Sequence, residues 1–251
     1  MKMSPAKLDY SIFKKFDFKQ PPIGVKFLLN RPKGIKKLAK EMAFCEMLGE
    51  APKSQPFYAT RDNFSCMGPV ILGMEEADPI FQSGQVGAKD GIYKEARANR
   101  RIYNYIPKMG KGTVRYVAFS PMDKLPFEPD LLIIAATPPQ AEILLRAYCY
   151  TSGKMITTKS TPVLICAWLY AYPYLSGEMN YTVTGLGFGM KARKVLPEGF
   201  ILLSFPYDSL PMLIDNLKDM EWVPPLHRLS EAEKQAQFKK TVEELRKEYE
   251  S

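Results

Sequence analysis

Apolar and polar positions along the chain switch repeatedly between a period of two, expected of strands, and a period near 3.6, expected of helices. Pro22 to Leu29 is a short, partly β-branched run closed by Asn30-Arg31-Pro32, which predicts a strand and a turn. Ile35, Leu38, Met42 and Cys45 then recur at helical spacing while Lys36, Lys37, Lys40 and Glu41 point elsewhere. That pattern predicts an amphipathic helix from Gly34, with Cys45 on its buried stripe and Gly49 as its stop. Phe57 to Thr60 reads as a short strand, Pro69 to Ala77 as a short helix, Asp90 to Tyr105 as a charged helix and Arg115 to Phe119 as a strand.

The clearest unit is Asp130 to Ala136, a continuous apolar run that suits a strand buried on both faces, followed by a helix to about Ser152. Thr137 and Gln140 form a capping box there, with Pro138 at the first helical position. Thr161-Pro162 opens a second apolar helix that carries Cys166 near its N-terminal end. Asn180 to Leu186 and Gly199 to Phe205 read as strands, and Tyr207 starts a helix to about Leu217. Alternating strands and helices predict an α/β fold, a mixed sheet flanked by helices. Glu221-Trp222-Val223-Pro224-Pro225 reads as a linker, and Ser230 with Glu233 caps a charged helix to Tyr249. The organisation is therefore residues 1–220 as an α/β domain and 221–251 as a Pro-rich linker and C-terminal helix.

A chain of 251 residues with 46% hydrophobic content buries a substantial core without disulfides. Met1-Lys2-Met3-Ser4-Pro5 shows no secretory signal, and the longest apolar run, Pro162 to Leu175, is shorter than the roughly 20 residues a membrane span needs. The expected setting is the cytoplasm, with the four cysteines reduced. The net charge of +8 is spread over Arg31 to Lys40, Arg97 to Lys111 and Lys191 to Lys194. Without any nucleic-acid motif it reads as solvated helix faces, and nucleic acid is not an expected partner.

Candidate chemistry narrows to sulfur. The single histidine, His227, lies in the Pro-rich linker, which disfavours His-dependent hydrolase triads, and no CxxC pair supports structural zinc. Gly185-Leu186-Gly187-Phe188-Gly189, followed by Lys191 and Arg193, lacks a phosphate-loop pattern and reads as a plain turn with no helix directly after it. Glu75, Glu76 and Asp78 read as oxygen ligands or a general base, and equally as a solvated helix end. Cys66, in Ser65-Cys66-Met67-Gly68-Pro69, is set to lie near backbone N–H groups and the start of a helix, a setting that suits an anionic sulfur. Cys45 and Cys166 fall on packed helices, where a reduced cysteine also serves as a small hydrophobe, and Cys149 flanks a polar helix face.

Pro22-Ile23-Gly24-Val25-Lys26-Phe27, Phe44-Cys45, Ser65-Cys66-Met67-Gly68, Pro129-Asp130 through Pro138-Pro139-Gln140-Ala141, Cys166 and Phe205-Pro206-Tyr207 together resemble the domain of unknown function 169 family, over roughly residues 8 to 218. The resemblance implies a cytoplasmic α/β protein of archaea and anaerobic bacteria whose recurring cysteines match Cys45, Cys66 and Cys166. Many members carry a further Cys before the Gly-rich turn, where this chain has Thr184, so a four-thiolate site lacks one ligand here. The leading expectation is a redox or cofactor-handling protein whose Cys45, Cys66 and Cys166 bind an iron–sulfur cluster, with Gly68 admitting close backbone approach and one iron open to substrate or another ligand. The alternative is a non-redox module that holds a tetrapyrrole, flavin or other anionic ligand in an aromatic pocket, with Lys26 or Arg193 as the cation. The partners these readings imply are a small-molecule ligand or a redox partner, and a second copy of the chain against the C-terminal helix.

Overall fold

The computed structural model describes residues 8–250; the Met1 to Pro5 opening lies outside them. Among the described residues seven strands form one sheet in the order β2-β3-β4-β1-β5-β7-β6, comprising β1 (Ile23–Leu28), β2 (Lys36–Lys37), β3 (Phe57–Ala59), β4 (Tyr116–Pro121), β5 (Leu131–Ala136), β6 (Asn180–Val183) and β7 (Ile201–Pro206). Only β2 and β3 run parallel; every other neighbouring pair is antiparallel. The mixed sheet is the expected architecture. β5 is buried at every residue because both faces of the sheet are covered, not because its neighbours are parallel.

The period of two along the strands sorts side chains to two cores. Leu132, Ile134, Ala136, Leu203 and Phe205 face a layer made by a 3₁₀ turn (Ser11–Phe16) and two helices, Pro138–Cys149 and Leu210–Asp219. Val25, Phe27, Phe57, Phe119, Leu131, Ile133 and Leu202 face the opposite layer, which holds Cys166 and packs against Cys45 and Cys66. That second layer is built from α1 (Phe44–Glu50), α2 (Gly68–Ile71), α5 (Ala96–Tyr105), a π-helical turn (Ala167–Ala171) and a short helix (Phe188–Ala192), while α4 (Gln85–Lys89) packs on α5 and α3 (Pro79–Gln82), which buries no residue, packs on α4. In chain order the helix Pro138–Cys149 is α6, Tyr172–Ser176 is α7, Phe188–Ala192 is α8, Leu210–Asp219 is α9 and Glu231–Tyr249 is α10.

The helix expected from Gly34 to Gly49 forms only from Phe44 onward. Lys36 and Lys37 pair with Phe57 and Tyr58, and the Leu38 N–H donates to the Tyr58 carbonyl. Met42 bridges Phe64, and the Asn63 amide donates to the carbonyls of Leu38 and Lys40. With its backbone groups paired to distant partners, the segment is held extended although its side chains recur at helical spacing, and the helix starts only at Phe44. The Gly-rich turn also differs from expectation, because α8 follows it directly. Trp222, read as linker, packs on Phe16 with ring centroids 4.3 Å apart, while no residue of α10 is buried. Among the described residues no helix is long and apolar enough to cross a membrane.

Candidate functional site

Cys45, Cys66 and Cys166 come from three separate elements and line one cavity of about 150 Å³. Two interlocking pieces of local structure bring the first two together. The Met42 to Phe64 bridge and the Ser65 N–H to Met42 carbonyl bond tie the Cys66 loop to the strand entering α1. Glu46 then caps α1 by accepting the Ala43 N–H at 2.7 Å, which sets Cys45 in its first turn. The Cys66 sulfur accepts N–H bonds from Phe44 at 3.1 Å and Gly68 at 3.4 Å. These are the expected backbone donors, although they come from two short helices rather than from one long dipole.

Gly68 is required by its neighbours. A Cβ there would sit 2.8 Å from the Phe64 ring and 2.9 Å from the Phe44 Cβ, so its close approach is to protein, while its N–H serves Cys66. Gly187 acts similarly on the other wall. A Cβ on it would lie 2.8 Å from Ile165, and the Phe188 N–H donates to the Pro162 carbonyl at 2.7 Å, docking α8 on the segment that leads to Cys166. Leu164, also in the wall, has φ of +56°, a left-handed conformation that costs roughly 1–2 kcal/mol for a residue with a Cβ. Cys166 follows two residues later at the entry to the π-helical turn, and insertions of that kind recur at functional sites.

Arg193 caps the end of α8 and lines the cavity, with its Nε 3.7 Å from the Glu46 carboxylate. Lys26 does not join it. Its side chain leaves the opposite face of β1 from Val25 and Phe27, donates to the Glu128 carbonyl at 2.6 Å and pairs with Asp130 at 3.6 Å. Of the residues singled out for binding, Gly68, Arg193 and the three cysteines therefore share a wall and Lys26 is elsewhere. Thr184 is also outside the wall and hydrogen-bonds the Pro197 carbonyl. Cys149 packs against the other core, its thiol donating to the Lys154 carbonyl.

Cys45 and Cys166 are held in an environment that opposes charge. Burial pushes Cys45 up to about 11, with proximity to Cys66 adding and Arg193 opposing. Cys166 is raised well above an ordinary thiol by burial first, then by Cys66 and Cys45. Tyr170, absent from the residues singled out in the sequence, belongs to the same neighbourhood. It is 1% exposed, and its hydroxyl has no hydrogen-bond partner among the described residues. Leaving such a group unpaired costs about 1–3 kcal/mol. The available signal was its place four residues after Cys166, concealed within an aromatic run that reads as plain core.

Size and donor set limit what the cavity accepts. At about 150 Å³ it is in the range that holds a benzene, well below the roughly 300 Å³ where pockets for larger organic ligands begin, so a flavin or tetrapyrrole does not fit inside. Among the described residues no three His, Cys, Asp or Glu side chains form a ligand group for a single metal ion. One tetrahedral ion needs sulfurs about 3.8 Å apart, whereas a cluster takes each thiolate on a different iron and tolerates wider spacing. A wider cleft of about 810 Å³ shares Cys66, Met67 and Arg193 with the cavity wall and continues past Arg61, Phe81 and Phe188.

Comparison with known proteins places the chain in a family. The family model described as DUF169, Uncharacterised ArCR, matches residues 11–216. The chain belongs to the DUF169 family. It is also similar to the uncharacterised protein MJ0308 of Methanocaldococcus jannaschii, with 25% identity over 211 residues that cover 81% of this chain and 89% of that protein. No solved structure matches. The DUF169 match ends before α10, the helix that contributes nothing to the core, and contains all three cysteines of the cavity.

Proposed function

We propose that this DUF169 protein is a cytoplasmic redox or cofactor-handling protein that binds an iron–sulfur cluster through Cys45, Cys66 and Cys166. The observation that carries the reading is the meeting of three thiols from separate elements in one small cavity, with two backbone N–H groups already directed at the Cys66 sulfur. Thiolates bound to iron carry negative charge, and hydrogen bonds to their sulfurs together with the nearby Arg193 cation stabilise it. Iron also supplies what Cys45 and Cys166 lack in its absence, a partner that makes deprotonation favourable.

Three protein ligands leave one iron of a 4Fe-4S cluster for an outside group. The cleft beyond Cys66 and Arg193 is the route by which a small-molecule ligand or redox partner reaches it, and its volume suits a substrate rather than solvent alone. Within this scheme the chain's residues hold the cluster, exclude water from the Cys166 side and present Arg193 at the mouth. Anaerobic purification followed by iron and acid-labile sulfide assay tests the reading. Absence of both after reconstitution discards it, and recovery of an organic ligand without iron by native mass spectrometry favours a non-redox binding module in the cleft.

A further inference from the structure

The cavity walled by the three cysteines is lined mainly by hydrocarbon and sulfur. Phe44, Met67, Pro162, Ile165 and Met190 surround it, and a reduced cysteine presents a small hydrophobic surface of its own. One lining group is charged. Arg193, the residue that ends α8, lines both this cavity and the wider cleft. A guanidinium is a fork of N–H donors matched to a carboxylate. Among the described residues this one makes a single hydrogen bond, from Nη1 to the Gly189 carbonyl at 3.1 Å. Glu46 is a loose counter-ion, because its Oε2 lies 3.7 Å from the Arg193 Nε and already accepts the Ala43 N–H at 2.7 Å. Along the cleft Glu75 pairs with Arg61, Glu76 pairs with Lys111 and Asp78 accepts the Ile80 N–H at 2.8 Å, so apart from the exposed Glu41 its carboxylates have partners of their own.

A benzene-sized apolar chamber with an under-used guanidinium at its mouth complements one kind of molecule. We propose that the metal-free chain binds a small organic carboxylate here, with a compact apolar body of up to about six non-hydrogen atoms inside the cavity and its carboxylate on Arg193. The Phe44 and Gly68 N–H groups are turned onto the Cys66 sulfur, which leaves Arg193 as the donor for the anion. The cleft that shares Cys66, Met67 and Arg193 with the cavity is the way in. No bond is made or broken. The inference does not rest on the cluster reading, since a ligand of this size and a cluster exclude one another from so small a space.

The test uses the full chain, reduced and stripped of metal with a chelator, and follows binding of benzoate, benzene and naphthoate by calorimetry. Wild type is expected to bind benzoate and benzene at one site per chain. Arg193→Gln is expected to bind benzoate about tenfold more weakly and benzene unchanged, which also shows that the variant keeps the cavity. Naphthoate, whose second ring overfills the cavity, is expected to bind wild type at least about tenfold more weakly than benzoate. Failure of wild type to bind benzoate or benzene at millimolar concentration overturns the inference, as does equal benzoate affinity in the two proteins or equal affinity of wild type for naphthoate. An Arg193→Gln protein that loses benzene together with benzoate overturns it too, because Arg193 then props the wall instead of holding the anion. Iron uptake by the same preparation separates the two readings: protein that takes up iron and sulfide but no benzoate keeps the cluster and loses this site, and the reverse result keeps this site and loses the cluster.

Discussion

Phe44 and Tyr170 stack face to face, 4.1 Å between centroids, and so join the helix carrying Cys45 to the turn carrying Cys166. Phe44 also meets Phe64 edge-on at 5.4 Å, next to the Cys66 loop. One ring therefore contacts the supports of all three sulfurs. Phe44→Ala is expected to destabilise the metal-free protein by about 3–5 kcal/mol, the usual result of deleting a fully buried aromatic. Urea unfolding measures it. A loss below about 1 kcal/mol would show that the three supports hold their places without the ring.

Alanine at Cys45, Cys66 or Cys166 is expected to abolish stable iron incorporation in each case, while Cys149→Ala keeps the wild-type iron content because its thiol is engaged with Lys154 against the other core. The metal-free Cys166→Ala protein is expected to lose only about 1 kcal/mol, since a buried neutral thiol behaves as a small hydrophobe. Iron-to-protein ratios across the four variants decide the matter. An equal loss in all four would point to non-specific iron, and full retention in any of the first three would remove that cysteine from the ligand set.

What could be read from the chain divides by the range of the forces involved. The β5–α6 unit was legible because its signals are local: the Thr137 N–H donates to the Gln140 side chain at 2.8 Å, as the capping box requires, and the strand is uniformly apolar. The Gly34 to Cys45 segment was not, because its extended form depends on β3 and on the Asn63 amide, which is more than twenty residues away. Similarly, the three cysteines stood out as candidates, but their shared cavity depends on the Met42–Phe64 bridge and on the close fit of Gly187 against Ile165. Lys26 looked like a free cation only because its partners, Glu128 and Asp130, lie about a hundred residues further on.

Raised thiols make the metal-free protein sensitive to alkali. Cys45 holds its proton up to about 11 when folded and releases it near the ordinary thiol value when unfolded. The unfolded chain therefore loses protons first as pH rises, and the stability present below about pH 9 declines until pH passes the folded value. From Cys45 the loss amounts to roughly 2–3 kcal/mol between pH 9 and 11, and Cys166 adds in the same direction. Denaturant titrations of Cys45→Ala at pH 8 and pH 10.5 are expected to show a smaller decline than wild type. An identical decline would assign the alkaline sensitivity to other groups.

The end of the packed unit can be located by truncation. Trp222 stacks on Phe16, its indole N–H donates to the Leu217 carbonyl at 2.9 Å, and Arg146 donates to the Trp222 carbonyl at 2.9 Å. A chain ending at Glu221 forfeits these contacts and is expected to lose roughly 1–3 kcal/mol. A chain ending at Leu229 removes α10, none of whose residues is buried, and is expected to stay within about 0.5 kcal/mol of wild type. With no buried residue, α10 draws little stability from the domain and returns little to it. Paired melting curves at two protein concentrations check the point. A melting temperature that rises with protein concentration in the full chain, and not in the chain ending at Leu229, would mean that α10 packs on a second copy of the protein, and the core would then extend across that interface.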